Sequence, residues 1–377
     1  MDSEVAVVGA GVVGCATALA LARRGVSVAL AEAGAEPALG ASGANSGILH
    51  TGFDSVPGEL ETELILRSAP LRDRILDALR VPVLRCGARL RPRDGRPDVL
   101  GTLAANAQRN GVAIAFRRDG ALKVPGEAVT DPAAYTLALA AAARRHGVAV
   151  REGFAVGAVE RGQAGSMLRS ADGDALTARV VVNCAGLYAD TVARLADDDS
   201  FEIYPRKGEF LVFEHPPGER LERILLPAPT ERTKGVLVFP TVDGKVIAGP
   251  TAVDQRDKDD RSVRPAAHDE IHPQAVAMWP ALEGAEPIAS FAGLRPVGRG
   301  VNYLIGASRR APGLVNVAAI GSTGLTASLG IAEHVCELVG ELGVTLRSER
   351  PLEPGAAPKL RVPWWQSAAE RSWRAPY

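Results

Sequence analysis

The chain of 377 residues is long enough for two domains, and its 46% hydrophobic content is ordinary for a well-packed soluble enzyme. A formal net charge of −1, with no long block of one sign, excludes the electrostatic footprint of a nucleic-acid binder. No apolar run reaches membrane-spanning length, and the four scattered cysteines form no C-x-x-C pair, which argues against a structural zinc, an iron–sulfur cluster or a disulfide framework. The six histidines lack metal-ligand spacing, so no metal is expected. With only MDSE ahead of the first strand, no signal peptide is expected and the cytoplasm is the default compartment.

The first elements are the most informative. Val5–Val8 is a β-branched run of the kind that makes a fully buried parallel strand. Gly9, Gly11 and Gly14 follow as G-x-G-x-x-G, then an Ala/Leu-rich helix to Arg23, then a strand Val26–Ala31 that ends on Glu32. The three glycines serve a tight turn, close approach of backbone to a diphosphate, and close helix–strand packing. The helix start offers N–H groups and a positive dipole end to phosphate, and Glu32 can accept from a ribose hydroxyl pair. These features predict a dinucleotide site.

Beyond Glu32 lies a loop of small residues, 40–54, and small side chains in such number mean that something approaches the backbone. Helical periodicity follows over 59–79, a half-exposed strand over 83–91, a helix over 99–110 and a strand over 112–117. Asp131-Pro132 starts an Ala-rich helix, with a return strand behind it. Strands are predicted at 155–161, 167–170 and 178–186, and then a helix to about Ala196. Residues 202–250 and 290–306 read as antiparallel strands between Pro and Gly turns. The last buried strand runs through a glycine turn, GSTGLT, into a final helix. The fold class is therefore α/β (α+β mixed): a Rossmann-like dinucleotide domain (1–80, 128–200, 296–350) interleaved with an antiparallel-sheet substrate domain (81–127, 201–295), and an aromatic and basic tail at 351–377. A single fingerprint favours one bound dinucleotide.

NSGILHTGFD with Pro57-Gly58, VPGEAVTDP, VVVNCAGLYAD, PRKGEFLVFE, TKGVLVFPTVDG followed by AGPTA, GLRP and GSTGLTASLGIAE occur in that order. Over residues 4–345 the chain thereby resembles the FAD-dependent D-amino-acid oxidase superfamily, in particular its branch of glycerol-3-phosphate and L-2-hydroxyglutarate dehydrogenases. The resemblance implies FAD as cofactor, with the antiparallel sheet roofing the isoalloxazine. There are two departures. The cysteine-rich C-terminal domain of the larger glycerol-3-phosphate enzymes is not expected, since no such segment follows the last helix in these residues. The strand at Gly235-Val236-Leu237 also lacks the histidine expected of the hydroxyglutarate enzymes, which tilts the reading to glycerol 3-phosphate.

His50 has the side-chain chemistry to take a hydroxyl proton while hydride leaves the same carbon for flavin N5. A loop histidine alone is more often structural; the resemblance makes His50 the base, or alternatively a site of covalent FAD attachment. By the same resemblance Arg295 of GLRP anchors the substrate anion, which a guanidinium fork matches bidentately, and Lys234 is the second candidate clamp. The helix start at Gly324, Leu325 and Thr326 faces the negative edge of reduced flavin. The resemblance further implies that Ser42, Gly43, Asn45 and Ser46 line the diphosphate–ribityl side, that Val156 meets adenine through its backbone, and that Ala185, Gly186 and Gly293 complete the cofactor set. Tyr204, Tyr303 and Phe239 are either cavity-lining or core. Trp364, Trp365 and Trp373, interleaved with arginines, rest on a membrane surface or on the protein itself or a dimer mate.

The expected activity is oxidation of an anionic secondary alcohol, foremost glycerol 3-phosphate to dihydroxyacetone phosphate, with a quinone, oxygen or a redox partner as electron acceptor. The rivals are an L-2-hydroxy-acid enzyme, an amino-acid or amine oxidase, and a flavin-binding subunit without turnover.

Overall fold

The computed structural model describes residues 1–91, 98–228, 235–371 and 374–375. Its first sheet is built on the strand Ser3–Val8, which pairs in parallel with Val28–Ala31 on one side and Ala175–Asn183 on the other. Val5, Ala6 and Val7 have no solvent exposure, as expected of a central strand covered on both faces. Ala149–Arg151 extends the parallel set beyond Val28–Ala31, and Leu314–Ala318 extends it beyond the C-terminal half of Ala175–Asn183. The N-terminal half of that long strand instead carries the antiparallel hairpin Val156–Gly162 and Gly165–Ser170.

One face of this sheet is covered by the helices Val12–Arg23, Pro132–Arg145, Leu60–Ala78 and Gly324–Glu341. Their small residues permit close approach. A Cβ on Gly330 would stand 2.2 Å from Leu64 O, so the last two helices cross at a point where only glycine fits. Asp131 caps the Ala-rich helix, its carboxylate accepting from Ala134 N at 2.8 Å, with Pro132 at the first helical position.

The second sheet is dominated by the antiparallel pair Ile203–Phe213 and Ala289–Gly298, in continuous register from Ile203 opposite Gly298 to Val212 opposite Ala289. Val246–Gly249, Leu237–Pro240, Ile224–Pro227, Ala88–Arg91 and Leu122–Val124 follow across the sheet. A helix absent from the sequence reading, Ala267–Met278, packs Ile271 and Ala275 against Phe213 and Val246. Another cluster, holding Phe210, Phe239 and Phe291, is closed by a further unpredicted helix, Trp364–Glu370. A third, small sheet joins Ile48–Leu49, Ala128–Thr130 and Val83–Leu84.

Each large sheet thus draws on separate segments of the chain. The tail is seated on its own protein: Trp364 is 1% exposed with its ring edge-on to Phe291, and Trp365 Nε1 donates to Asp243 Oδ2 at 2.9 Å. Those two indoles are therefore withdrawn from any membrane surface, and Trp373 lies outside the described residues. Among the described residues no helix is long and apolar enough to cross a membrane. The four cysteines are free thiols.

Candidate active site

The first strand ends at Gly9, whose φ of +100° and closeness to the chain (a Cβ would lie 2.5 Å from Cys184 O) make the tight turn a glycine position. A Cβ on Gly14 would fall 1.9 Å from Gly9 O, so the third glycine lets the helix lie on its own turn. Gly9, Gly11, Glu32, Ser42, Asn45, Ala185, Gly186, Gly324 and Leu325 all border one cleft, which encloses about 1150 Å³ including its mouth. Glu32 is nearly buried, accepts from Ala10 N at 2.6 Å and Gly34 N at 2.8 Å, and has its carboxyl pushed up by desolvation against those bonds.

This lining fits a dinucleotide. Glycines and alanines leave the volume unfilled, Gly186 with φ +58° has open space where a side chain would stand, and an acid lies at the strand end. The helix Gly324–Glu341 begins on the cleft wall without a side-chain cap, because Thr323 Oγ1 is bonded to Tyr303 and Glu61 instead; its first N–H groups are left for an acceptor.

Six residues assigned to the cofactor do not line this cleft: Gly14 sits under its own turn, Ser46 and Gly293 line the second cleft described below, and Gly43, Val156 and Thr326 are placed elsewhere. Gly43 is buried where a Cβ would overlap Ala38 O, so its place is set by loop packing. Val156 is fully buried in the hairpin, and Phe154 reaches the cleft in its place. Thr326 is buried below the helix start, where its Oγ1 accepts from His50 N at 3.0 Å; it holds the histidine loop.

A second cleft, of about 1280 Å³ with its mouth, joins the first, since Ala41, Asn45 and Gly321 border both. Ser46, His50, Phe239, Gly293 and Arg295 line it, together with Arg206, Thr251 and Ser322, which the sequence reading did not single out. Gly293, in the strand Ala289–Gly298, packs directly on the small-residue loop: a Cβ there would sit 2.5 Å from Ala44 O. Tyr204 and Tyr303 are not on its wall. Tyr303 is core and bonds Thr323 at 2.7 Å, while Arg206 and Arg299 lie over the ring of Tyr204. Lys234 lies outside the described residues.

Arg295 stands directly opposite Arg206 in the strand register. Arg206 is neutralised by Asp254, at 2.5 and 2.9 Å. Arg295 has only a 3.2 Å bond from Nη2 to Thr251 O, and among the described residues no carboxylate pairs with it. Water touches it through the cleft mouth while protein encloses it. Desolvation, and then the Arg206 charge, pull its pKa down to about 10, against a smaller upward pull from Asp254. An enclosed cation in this condition is poorly compensated by the described protein groups around it. On another wall, the His50 imidazole meets Glu127 through Nδ1 at 3.0 Å. Glu127 stood in a motif quoted above, but nothing in its spacing pointed to His50.

Residues 4–338 match the family model described as DAO, FAD dependent oxidoreductase. A glycerol 3-phosphate dehydrogenase of Caloramator mitchellensis is 30% identical over 93% of this chain and 76% of its own. A glycerol 3-phosphate oxidase of Mycoplasma pneumoniae is 27% identical over 96% and 99% respectively. The solved structure of the L-alpha-glycerophosphate oxidase from that organism, with FAD bound, superposes at a TM-score of 0.87 over 95% of this chain and 99% of that one, at 26% identity. The chain belongs to the DAO family of FAD-dependent oxidoreductases, and FAD is its cofactor.

Proposed function

We propose that the chain oxidises glycerol 3-phosphate to dihydroxyacetone phosphate, with Arg295 binding the phosphate and His50 taking the hydroxyl proton. The observation that carries this reading is that one cleft, continuous with the dinucleotide cleft, is lined by both an enclosed guanidinium without a carboxylate partner among the described residues and an imidazole tied to a buried carboxylate. The relatives named for glycerol 3-phosphate over nearly the whole chain support the same substrate.

Bound FAD supplies the acceptor for the carbon-bound hydrogen and its electron pair. Arg295 fixes the anionic end of the substrate by charge-assisted bonds, which orients the secondary alcohol. His50 Nε2 accepts the hydroxyl proton, so the alcohol oxygen becomes the carbonyl oxygen of the product. Phe239 and Leu237 make that part of the wall apolar, which strengthens each of these polar contacts. Lys234 is retained as a second phosphate contact. Residues 1–80, 128–200 and 296–350 are proposed to carry the cofactor, and 81–127 with 201–295 to cover the substrate.

Anaerobic mixing of the holoenzyme with glycerol 3-phosphate, L-2-hydroxyglutarate and a panel of amino acids tests the proposal. Glycerol 3-phosphate should bleach the visible flavin absorbance fastest. Bleaching by an amino acid or by hydroxyglutarate alone would overturn it. Oxygen is the first acceptor to assay, because the Mycoplasma relative is named an oxidase, and hydrogen peroxide formation in air is its signature.

A further inference from the structure

His50 follows the strand Ile48–Leu49, and Glu127 precedes the strand Ala128–Thr130 that pairs with it. The antiparallel register sets Ile48 opposite Val129 and Leu49 opposite Ala128, so its next step sets His50 opposite Glu127. Glu127 is fully buried. Its Oε1 accepts from Thr51 N at 2.7 Å and Thr51 Oγ1 at 2.9 Å, and its Oε2 faces His50 Nδ1. Among the described residues no Lys or Arg pairs with this carboxylate, and the imidazole is its one ion-pair partner.

The donor count follows from burial. A buried carboxylate must be met by donors on both oxygens. Two Thr51 donors occupy Oε1, so Oε2 requires the proton on His50 Nδ1. The neutral imidazole therefore keeps its lone pair on Nε2, the nitrogen away from Glu127. When Nε2 gains a proton, the resulting imidazolium lies beside a carboxylate with little water to screen the pair. The loop carrying Glu127 is itself tied down, since Gly87 N donates to Glu127 O at 2.8 Å. The other groups around His50 are Thr326 at its N–H, Arg72, whose Nη1 donates to His50 O at 3.2 Å, and Arg206 and Arg295 on the shared cleft.

We infer that Glu127 is a positioning residue that fixes the tautomer of His50, leaving Nε2 as the acceptor that faces the substrate cleft. This rests on the proposed role of His50 as the base. Glu127→Gln tests it with almost no change of shape. The amide oxygen must stay with the two Thr51 donors, so the amide NH₂ turns to His50 Nδ1. Nδ1 then has to accept, and the ring proton moves to Nε2, where it blocks proton uptake.

The holoenzyme is compared as wild type and Glu127→Gln, with His50→Gln to assign the ring signals in nitrogen-15 spectra of histidine-labelled protein. The expected result is a switch from protonated Nδ1 to protonated Nε2, with FAD content unchanged. Flavin reduction by glycerol 3-phosphate should be about 10²- to 10⁴-fold slower, the usual reach of a general base, with little change in KM. An unswitched tautomer overturns the positioning role. A switched tautomer with an undiminished rate overturns the base assignment instead, so the two claims fail separately.

Discussion

Replacing Arg295 by Met should weaken substrate binding and stabilise the substrate-free protein at once. The guanidinium is enclosed, lies opposite Arg206 and has no carboxylate of its own among the described residues. Its pKa, lowered to about 10 from 12.5, corresponds to a cost of about 3 kcal/mol for holding the charge in the folded state. Met keeps the aliphatic packing and discards the charge, so unfolding of the ligand-free variant should require up to about 3 kcal/mol more free energy than wild type. The substrate loses what the cation was there to give. Removing one partner of an enclosed, hydrogen-bonded charge pair costs about 2–5 kcal/mol, or roughly 30- to 4000-fold in KM for glycerol 3-phosphate. Denaturant unfolding without substrate and steady-state kinetics with it are the two assays. A KM within threefold of wild type, or a variant no more stable than wild type, would refute the idea of a cation waiting for an anion.

Two further changes test the scaffold. Trp364→Ala removes a 1%-exposed indole packed on Phe291, and should cost about 3–5 kcal/mol in denaturant unfolding; a loss below about 1 kcal/mol would mean that the tail is not seated in the core. Burial pushes the Asp131 carboxyl up to about 6, more than its bonds from Ala134 and Ala133 pull it down. Its contribution to stability is therefore fully present below an unfolded value near 4 and lost as pH rises through about 6. Asp131→Asn keeps the helix cap and should gain on wild type by up to about 3 kcal/mol from pH 4 to 7; stability curves that stay parallel over that range would contradict it.

Much of the first sheet was legible because its strands are continuous apolar runs punctuated by glycines. The helices between them carry recognisable starts, such as Asp131-Pro132. The helix Ala267–Met278 was not legible: Pro273 sits inside it, and its His and Glu residues blur the apolar face. Packing of the tail on its own protein was among the expectations, but the helix Trp364–Glu370 was not foreseen, because seven residues opening on two adjacent tryptophans show no helical period, and Trp364 fills a gap that only the sheet creates. Val156 illustrates a different limit. A strand was correctly expected there, but which residue of it reaches the cleft depends on a bulge next to Val156 in the hairpin. Glu127 and His50 are 77 residues apart, and what joins them is a pairing of strands two and three residues long, too short for any periodicity to reveal.

The interleaving of segments itself follows from the site. His50 lies in the small-residue loop just past a short strand, Glu127 just before the strand that pairs with it, and Arg295 on the longest pairing of the second sheet. None of these positions is close to another in the chain, and each is set by backbone pairing. For Arg295 to share a cleft with His50, the second sheet must come down on the loop around Ala44, and Gly293 is where the two meet. A Cβ at that point would stand 2.5 Å from a backbone oxygen, so any larger residue would lift the sheet. Separation matters here because charge-assisted contacts and proton transfer both decay over fractions of an ångström. The glycine in GLRP thus serves the arginine two residues beyond it: one lets the sheet descend, and the other, in the function proposed, uses the proximity to meet an anion.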